Sequence, residues 1–222
     1  MTDTVGANRD QTVRLSEIFF SLQGEAARSG LPTVFIRLTG CPLRCTWCDT
    51  EYAFTGGTPT RIEDVLAEVA RYPTRYVCVT GGEPLAQKSC LPLLKALCDA
   101  GHDVCLETSG ALDITLVDPR VARIMDLKAP GSGETDKNLL SNIADLRQTD
   151  EVKIVIASRA DYDWAKEIIA AHQLSACCDV VLSPVAGQLN PTDLAEWILA
   201  DGLAVRFQIQ LHKLLWSDAR GK

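Results

Sequence analysis

The sequence predicts an α/β protein whose sheet forms an open, partial (β/α)6-type barrel, with some helices reduced or missing. From residue 34 onward, apolar β-rich runs alternate with helical patterns, which is typical of βαβ units around a parallel sheet. About six such strands fall short of the eight strands, and of the ~250 residues, of a closed (β/α)8 barrel. The 222 residues, 46% of them hydrophobic, are enough for a single domain spanning 1–222 with its own core.

The first predicted strand covers residues 34–38, and the first helix follows at 62–69, where apolar residues recur at helical spacing. Further strands are predicted at 76–80, 103–107, 123–127, 152–157, 180–183 and 205–209, and further helices near 89–100, 135–146, 161–171 and 192–200. The stretch 105–125 has a weak helical pattern, so we expect only a turn there. Residues 1–11 are polar and predict a flexible extension, and residues 217–222 predict a tail.

Composition narrows the classes of function. The formal net charge is −7 and no cluster of Lys or Arg is present, which disfavours direct binding of nucleic acid. No apolar run approaches the ~18 residues of a membrane span, so we expect a cytoplasmic protein that does not bind membranes. Nine cysteines is an odd number in a long chain, which favours reduced thiols. Six of them lie in apolar or helical patterns and are interpreted as small core residues: Cys78, Cys90, Cys98, Cys105, Cys177 and Cys178.

The remaining three cysteines form one compact motif. Cys41, Cys45 and Cys48 have the spacing C-x3-C-x2-C and directly follow the strand at 34–38. Three thiolates leave one iron of a [4Fe-4S] cluster open to an outside ligand, whereas a structural zinc ion needs four closed ligands. A non-catalytic zinc module stays an alternative if His102 or Cys78 supplies the fourth ligand.

Polar segments end the next three predicted strands: Thr80-Gly81-Gly82-Glu83-Pro84, Glu107-Thr108-Ser109-Gly110 and Asp126-Leu127-Lys128. Taken singly, each could equally be a turn or a cap. The carboxyl ends of parallel strands meet at one edge of the sheet, where ligands bind in such folds. The sequence therefore predicts a pocket at this edge, lined with hydrogen-bonding groups and facing the cysteine motif.

The pattern C-x3-C-x-aromatic-C followed by Gly-Gly-Glu-Pro resembles that of the radical S-adenosylmethionine (SAM) enzymes. The resemblance implies a [4Fe-4S] cluster on Cys41, Cys45 and Cys48, whose open iron binds SAM and whose electron cleaves it to a 5'-deoxyadenosyl radical. It implies no catalytic side chain beyond that cofactor-derived radical. The residues that it assigns to SAM are Trp47, Cys48, Asp49, Gly81, Gly82, Glu83, Glu107, Ser109, Asp126, Leu127, Lys128 and Ser183.

Within that superfamily, the segment Glu17-Ile18-Phe19-Phe20-Ser21-Leu22-Gln23-Gly24-Glu25, together with Cys48-Asp49-Thr50, resembles the 7-carboxy-7-deazaguanine synthase family over nearly the whole chain. The resemblance implies a lyase of queuosine and deazapurine biosynthesis. Its substrate is 6-carboxy-5,6,7,8-tetrahydropterin, and its products are 7-carboxy-7-deazaguanine and ammonia. SAM is regenerated at the end of each turnover.

The same resemblance assigns a Mg2+ ion to Thr50, and it assigns the substrate to Leu22, Gln23, Gly24, Glu25, Arg37, Thr80, His212 and Lys213. A turn or N-cap role for Thr50 and a structural ion pair for Arg37 stay open. The resemblance also implies a homodimer and a flavodoxin-type electron donor. A glycyl-radical activase is the alternative enzyme, although such an enzyme has no need for segment 17–25 beside a small-ligand pocket.

Overall fold

The computed structural model describes residues 11–217 and 219–222. The extension predicted at 1–11 therefore lies, except for Gln11, outside the described residues. The strands are β1 Thr12–Leu22, β2 Pro32–Leu38, β3 Thr58–Arg61, β4 Tyr76–Gly81, β5 Asp103–Thr108, β6 Ala122–Leu127, β7 Glu151–Ile156, β8 Asp179–Pro184 and β9 Arg206–Phe207. The α-helices are α1 Ile62–Val69, α2 Cys90–Asp99, α3 Arg159–Ala171, α4 Leu174–Cys177, α5 Pro191–Asp201 and α6 Leu211–Trp216.

All nine strands join one sheet in the order β3-β1-β2-β4-β5-β6-β7-β8-β9. Neighbouring strands from β2 through β4 to β9 are parallel, whereas β1 runs antiparallel to both β2 and β3. The first and last strands in this order do not pair with each other, so the predicted open barrel is confirmed. The sequence reading missed β1 and β3, because β1 is half-buried along most of its length and lacks a clear alternation of apolar and polar residues.

The predicted parallel strands and four of the predicted helices are present. The helix expected at 135–146 is absent, and the chain forms 3-10 turns at Thr135–Lys137 and Leu140–Asp145 instead. The reason is tertiary: the Asn138 side chain accepts a hydrogen bond from the Lys128 amide, and the Asn142 side chain accepts one from the Ile114 amide. These side chains bond to loops distant in the sequence rather than facing the solvent side of a helix. Only turns separate β5 from β6, as predicted.

Alternate residues of each parallel strand face opposite sides of the sheet. One side packs against the helices in the main hydrophobic core. The concave side carries a small apolar layer, formed by Phe35, Cys78, Cys105 and Ile124 with Ala26. Two residues further along their strands, a polar layer follows at the carboxyl ends: Arg37, Thr80, Glu107, Asp126 and, from β7, Lys153. The alternation of side chains along the strands thus places this polar layer, in which four of the five side chains are charged, next to the apolar layer.

All nine cysteines are free thiols. Of the six interpreted as core residues, Cys78, Cys90, Cys105 and Cys178 are buried, and Cys98 and Cys177 are half-buried. No helix within residues 11–217 is long and apolar enough to cross a membrane.

Candidate active site

The loop after β2 carries three thiols into a cavity of about 530 Å³ at the carboxyl ends of the parallel strands. Cys41, Cys45 and Cys48 are half-buried, and burial raises the pKa of each thiol. In the part of the chain that the structure describes, no three His, Cys, Asp or Glu side chains are placed to hold a single metal ion. A [4Fe-4S] cluster binds each thiolate to a different iron, so its thiols stand further apart than the ligands of one ion.

The cysteine loop is held by the turn that follows β6. The Thr46 amide donates to the Ser132 carbonyl at 3.0 Å, and the Thr46 hydroxyl donates to the Gly131 carbonyl at 2.9 Å. The Arg44 amide donates to Glu134 Oε1 at 2.7 Å. Two of these bonds join the middle of the cysteine loop to backbone carbonyls of the segment after β6, and the third joins it to the Glu134 side chain of the same segment.

The Gly81-Gly82 turn after β4 lies directly against the cysteine loop. Gly81 has a φ of +150°, a conformation that favours glycine. A Cβ at Gly82 would lie 2.7 Å from the Cys41 Cβ and even closer to the Gly40 carbonyl oxygen. The Glu83 amide donates to that carbonyl at 2.7 Å. Both glycines are therefore required by close backbone approach at the edge of the cavity.

Glu83 is placed differently from the SAM contact that the sequence predicts. Its carboxylate is fully buried, and it does not line the cavity. It accepts hydrogen bonds from the Leu85 amide, the Thr108 hydroxyl, and the Ser109 amide and hydroxyl. In this arrangement Glu83 ties the ends of β4 and β5 together, and a contact with the SAM amino group would require an exchange of these bonds.

Glu107, at the end of β5, joins the cavity wall to the segment before β2. The Thr80 hydroxyl donates to Glu107 Oε2 at 2.7 Å, and the Gln23 side chain donates to Oε1 at 3.2 Å. The Gly24 amide in turn donates to the Gln23 side-chain oxygen at 2.8 Å. Predicted SAM and substrate residues thus form one hydrogen-bonded wall.

A buried row of alternating charges crosses the cavity. Lys153 Nζ lies 2.6 Å from Glu25 Oε2 and 3.3 Å from Asp126 Oδ2, and Lys128 Nζ lies 3.2 Å from Asp126 Oδ1. Burial acts against the ammonium group, but Glu25 and Asp126 outweigh it and raise the pKa of Lys153 well above its usual value. Burial likewise acts against the Asp126 carboxylate, yet the two lysines hold its pKa below its usual range. The shifted pKa values of Lys153 and Asp126 therefore favour the charged form of both groups at neutral pH.

Arg37 lines the cavity, and it also forms the ion pair with Glu17 that the sequence leaves open as its structural role. Its Nε donates to Glu17 Oε1 at 2.8 Å, and the Tyr52 hydroxyl donates to the same oxygen at 2.8 Å. Burial acts against the guanidinium, but Tyr52, Glu17 and Glu107 leave the pKa of Arg37 raised. Burial and the neighbouring Glu17 raise the pKa of Tyr52 to about 12. Arg37 therefore remains positively charged where it lines the cavity.

Thr50, the predicted magnesium ligand, lies in the cavity wall with its hydroxyl donating to Asp49 Oδ1 at 2.8 Å. Lys213 Nζ lies 3.6 Å from Asp49 Oδ2. Burial would raise the pKa of Asp49, but the Thr50 hydroxyl, the nearby lysines and His212 together lower it. The oxygen atoms of the Asp49 and Thr50 side chains therefore lie next to each other, directly after Cys48 in the sequence.

The C-terminal segment closes one side of the cavity. The Leu211 amide donates to the Gly24 carbonyl at 3.0 Å, and the Gln210 side chain donates to Glu25 Oε1 at 2.7 Å. The Arg220 guanidinium lies over the Tyr52 ring, 3.9 Å from its centroid. The described residues of the predicted tail, 217 and 219–222, line the cavity mouth.

Most residues predicted for the site line this one cavity. These are Leu22, Gln23, Gly24, Glu25, Arg37, Cys41, Cys45, Trp47, Cys48, Asp49, Thr50, Thr80, Gly81, Gly82, Glu107, Ser109, Asp126, Lys128, His212 and Lys213. Besides Glu83, the cavity lining lacks Leu127 and Ser183. Leu127 packs in the main core, on the face of β6 opposite Asp126. The Ser183 hydroxyl is buried in β8 without a hydrogen-bond partner among the described residues.

Sequence reasoning predicted the tail but did not place it, Lys153 or Tyr52 in the site. Lys153 carried a usable signal, because it is a charged residue inside the apolar run Val152–Ile156 and shares its face with the cavity side of the sheet. Tyr52 lies in the short 3-10 turn Glu51–Ala53 after the cysteine loop and gives no signal of its own.

Comparison with known proteins adds independent information. Residues 35–130 match the family model of the radical SAM superfamily. The chain is 48% identical to the 7-carboxy-7-deazaguanine synthase of Chlorobaculum tepidum, over 94% of this chain and 97% of that protein. It is 39% identical to the synthase of the same name from Koribacter versatilis, over 92% and 97% of the two chains.

Two solved structures are similar in fold. The crystal structure of QueE from Escherichia coli matches with a TM-score of 0.77 at 26% identity, covering 96% of this chain and 100% of that one. SuiB from Streptococcus suis matches with a TM-score of 0.56 at 14% identity, covering 77% of this chain and 47% of that one. At so low an identity, the second likeness concerns the fold alone.

Proposed function

The chain belongs to the 7-carboxy-7-deazaguanine synthase family of radical SAM enzymes, and from this premise we propose the reaction that it catalyses. It converts 6-carboxy-5,6,7,8-tetrahydropterin to 7-carboxy-7-deazaguanine with release of ammonia, in the pathway to queuosine and other deazapurines. One observation carries the proposal: the three thiols and the polar layer at the strand ends open into a single cavity. Cluster, SAM and a small polar heterocycle could meet there.

The donor set of the cysteine loop fits a site-differentiated cluster. Cys41, Cys45 and Cys48 are free thiols on one short loop, and neither alternative fourth ligand reaches them. Cys78 is buried in the apolar layer, and His102 precedes β5 at the opposite edge of the sheet. A [4Fe-4S] cluster with an open iron supplies, when bound, the electron that cleaves SAM and starts the radical reaction.

The chain's own residues hold SAM against that loop. Gly81 and Gly82 let the backbone approach the methionine end, and Trp47 borders the cavity where the adenine would lie. The carboxylates of Glu107 and Asp126 offer acceptors to ribose hydroxyls, and Lys128 offers a cation to the carboxylate of SAM. Cys48, Asp49 and Ser109 complete the proposed set among the residues that line the cavity. Glu83, Leu127 and Ser183 would join it only if their present contacts changed.

Substrate recognition is proposed on the opposite wall. Leu22, Gln23, Gly24 and Glu25 form a mostly buried segment whose polar groups line the cavity, and His212 packs directly on Gly24. Arg37, Thr80 and Lys213 add cationic and hydroxyl groups suited to a carboxylated pterin. The small apolar layer formed by Phe35, Cys78, Cys105 and Ile124 with Ala26 limits the access of water to a radical in the cavity.

We assign a Mg2+ ion to Thr50, with the substrate carboxylate as a second ligand. Mg2+ takes oxygen ligands and keeps several waters, so one hydroxyl and substrate oxygens make a plausible shell. The adjoining Asp49 carboxylate, 2.8 Å from the Thr50 hydroxyl, favours a cation at this point. Its effect would be to orient the substrate and to neutralise developing charge.

A homodimer and a flavodoxin-type electron donor complete the proposal. The last strand, β9, pairs over only two residues, and exposed apolar side chains lie in it and after it: Phe207, Ile209, Leu214 and Leu215. Exposed strand edges and apolar patches are normally covered. Light scattering of the purified protein tests the dimer, and reduction of the cluster by reduced flavodoxin, followed by its absorption, tests the donor.

The reaction is tested by anaerobic incubation of the reconstituted enzyme with SAM, dithionite and 6-carboxy-5,6,7,8-tetrahydropterin, followed by mass analysis. We expect 7-carboxy-7-deazaguanine without any added protein substrate, which also distinguishes this enzyme from a glycyl-radical activase. The Cys45→Ala variant should form no product, and Cys98→Ala, which changes a thiol on α2 away from the cavity, should match the wild type. An enzyme that cleaves SAM but leaves the pterin unchanged would refute the proposed substrate.

A further inference from the structure

Asp161 is a buried carboxylate that none of the predicted roles uses. It lies in the first turn of α3, is 1% exposed, and accepts a hydrogen bond from the Ala157 amide at 3.0 Å through Oδ2. Its other oxygen, Oδ1, accepts from the Gly131 amide at 2.7 Å. The two amides belong to the loops after β7 and β6, so a single side chain joins two loops at the carboxyl edge of the sheet.

The contacts continue from Gly131 into the cysteine loop. The Gly131 carbonyl accepts from the Thr46 hydroxyl at 2.9 Å, and the next carbonyl, of Ser132, accepts from the Thr46 amide at 3.0 Å. Trp47 packs on the same glycine, since a Cβ at Gly131 would lie 3.1 Å from Trp47 Cζ3 and 2.7 Å from Asp161 Oδ2. The peptide of Gly131 is thus held between the Asp161 carboxylate and the Thr46–Trp47 part of the loop.

We infer that Asp161 is a positioning residue for SAM, acting through Gly131 on the Thr46–Trp47 segment. A carboxylate that accepts two backbone amides fixes the direction of both, because charge-assisted hydrogen bonds in a buried site are strong and directional. The fixed Gly131 peptide then determines where the Trp47 ring lies relative to the proposed adenine position. This inference rests on the proposed binding of a cluster and SAM by the cysteine loop.

The geometry also limits what Asp161 affects. Neither Asp161 nor Gly131 lines the cavity, and the hydrogen bonds of the Asp161 carboxylate involve neither the three thiols nor the proposed substrate residues. Loss of the carboxylate should therefore leave cluster assembly and pterin affinity intact. The affinity for SAM and the mobility of the loop should change.

The test replaces Asp161 with Asn, which keeps the size but leaves one of the two amides facing an NH2 group. The matched control is Asp163→Asn, an exposed carboxylate on the same helix that pairs with Arg159 at 3.1 Å. In the reconstituted Asp161→Asn enzyme we expect the KM for SAM to rise about tenfold, the effect of one lost buried charge-assisted hydrogen bond. The iron content, kcat and the KM for the pterin should stay close to wild-type values.

Two readouts do not depend on turnover. Amide hydrogen exchange over peptide 42–48 should be at least several-fold faster in Asp161→Asn than in Asp163→Asn. The change that SAM induces in the electron paramagnetic resonance spectrum of the reduced cluster should require more SAM. If both variants match the wild type in exchange, in this titration and in the KM for SAM, the inference is overturned.

A second variant keeps the test decisive if Asp161→Asn does not fold. Thr46→Val removes an exposed hydroxyl that bonds to the same Gly131 carbonyl, and it should raise the KM for SAM and speed exchange in the same direction. An unchanged Thr46→Val enzyme would then overturn the inference. Failure of the proposed function looks different, because the wild-type spectrum itself would not respond to SAM while the exchange difference would persist.

Discussion

Replacing Lys153 with Met removes the ammonium group that bridges two buried carboxylates and keeps a similar length. Lys153 Nζ lies 2.6 Å from Glu25 and 3.3 Å from Asp126, and its side chain is 12% exposed. Removing one partner of a buried ion pair costs about 3–5 kcal/mol, because the other charge is left uncompensated. Asp126 keeps Lys128 and Glu25 keeps Gln210, so we expect a loss of about 3 kcal/mol in unfolding free energy at neutral pH.

The size of this loss depends on pH. The raised pKa of Lys153 means that its contribution is fully present below the unfolded pKa of about 10.4 and is lost only as the pH rises through the higher folded pKa. The lowered pKa of Asp126 means that its contribution is present above about 3.9 and is lost as the pH falls through the folded pKa. The stability difference between the two chains should therefore persist through neutral pH and shrink only toward the alkaline and acid ends of the range.

The assay combines anaerobic urea unfolding with product analysis. Glu25 lies on the proposed substrate wall and Asp126 beside the proposed SAM residues, so loss of the bridge should also increase the 5'-deoxyadenosine formed per pterin converted. The control Lys166→Met changes an exposed lysine on α3 that pairs with Asp201 at 2.8 Å. If Lys153→Met and Lys166→Met had the same unfolding free energy and formed the same amount of 5'-deoxyadenosine per pterin converted, the proposed effect of the Lys153 bridge would be wrong. The double variant Lys153→Met/Glu25→Gln should lose less than the sum of its single changes.

Three further predictions concern the cysteine loop and its neighbours. Cys45→Ala should lose the cluster and SAM cleavage, measured as iron, sulfide and 5'-deoxyadenosine; an active variant would contradict the ligand assignment. Thr50→Val should lower turnover and change its Mg2+ dependence at unchanged iron content, and an identical magnesium titration would remove Thr50 from its assigned role. Gly82→Ala places a Cβ 2.7 Å from the Cys41 Cβ and should reduce iron incorporation. Gly101→Ala, whose added Cβ meets open space and whose backbone strain at a φ of +88° lies away from the cysteine loop, should not; equal iron contents would contradict the steric argument.

Most of the parallel part of the fold is readable from the sequence because β2 and β4 to β8 are largely buried, whereas β9 consists of two exposed residues. β4, β5 and β8 are short apolar runs between turns, and their predicted ends differ from the observed ends by one residue at most. β1 could not be predicted in this way, since it owes its place to pairing with β2 and β3 rather than to its own pattern. The helix expected at 135–146 failed because asparagine side chains bond to distant loops, which is a tertiary effect.

Some features of the site can likewise be predicted from the sequence, and others depend on tertiary contacts. Motif spacing places Cys41 and Gly82 in one cavity, because loops after neighbouring parallel strands share an edge. The same spacing does not show that Glu83 turns away from the cavity to bond Ser109, because that contact joins two different strands. Asp161 carries no motif at all, and its role emerges only from the loops that fold against it.

The central claim is that one cavity holds both SAM and the pterin and regenerates SAM in each turnover, because substrate and product differ by one ammonia. The most direct measurement supplies the reduced enzyme with far less SAM than 6-carboxy-5,6,7,8-tetrahydropterin and counts 7-carboxy-7-deazaguanine formed per SAM. We expect many molecules of 7-carboxy-7-deazaguanine for each SAM and one ammonia for each product. A yield limited to the SAM supplied, or 5'-deoxyadenosine accumulating in place of the deazaguanine, would contradict it.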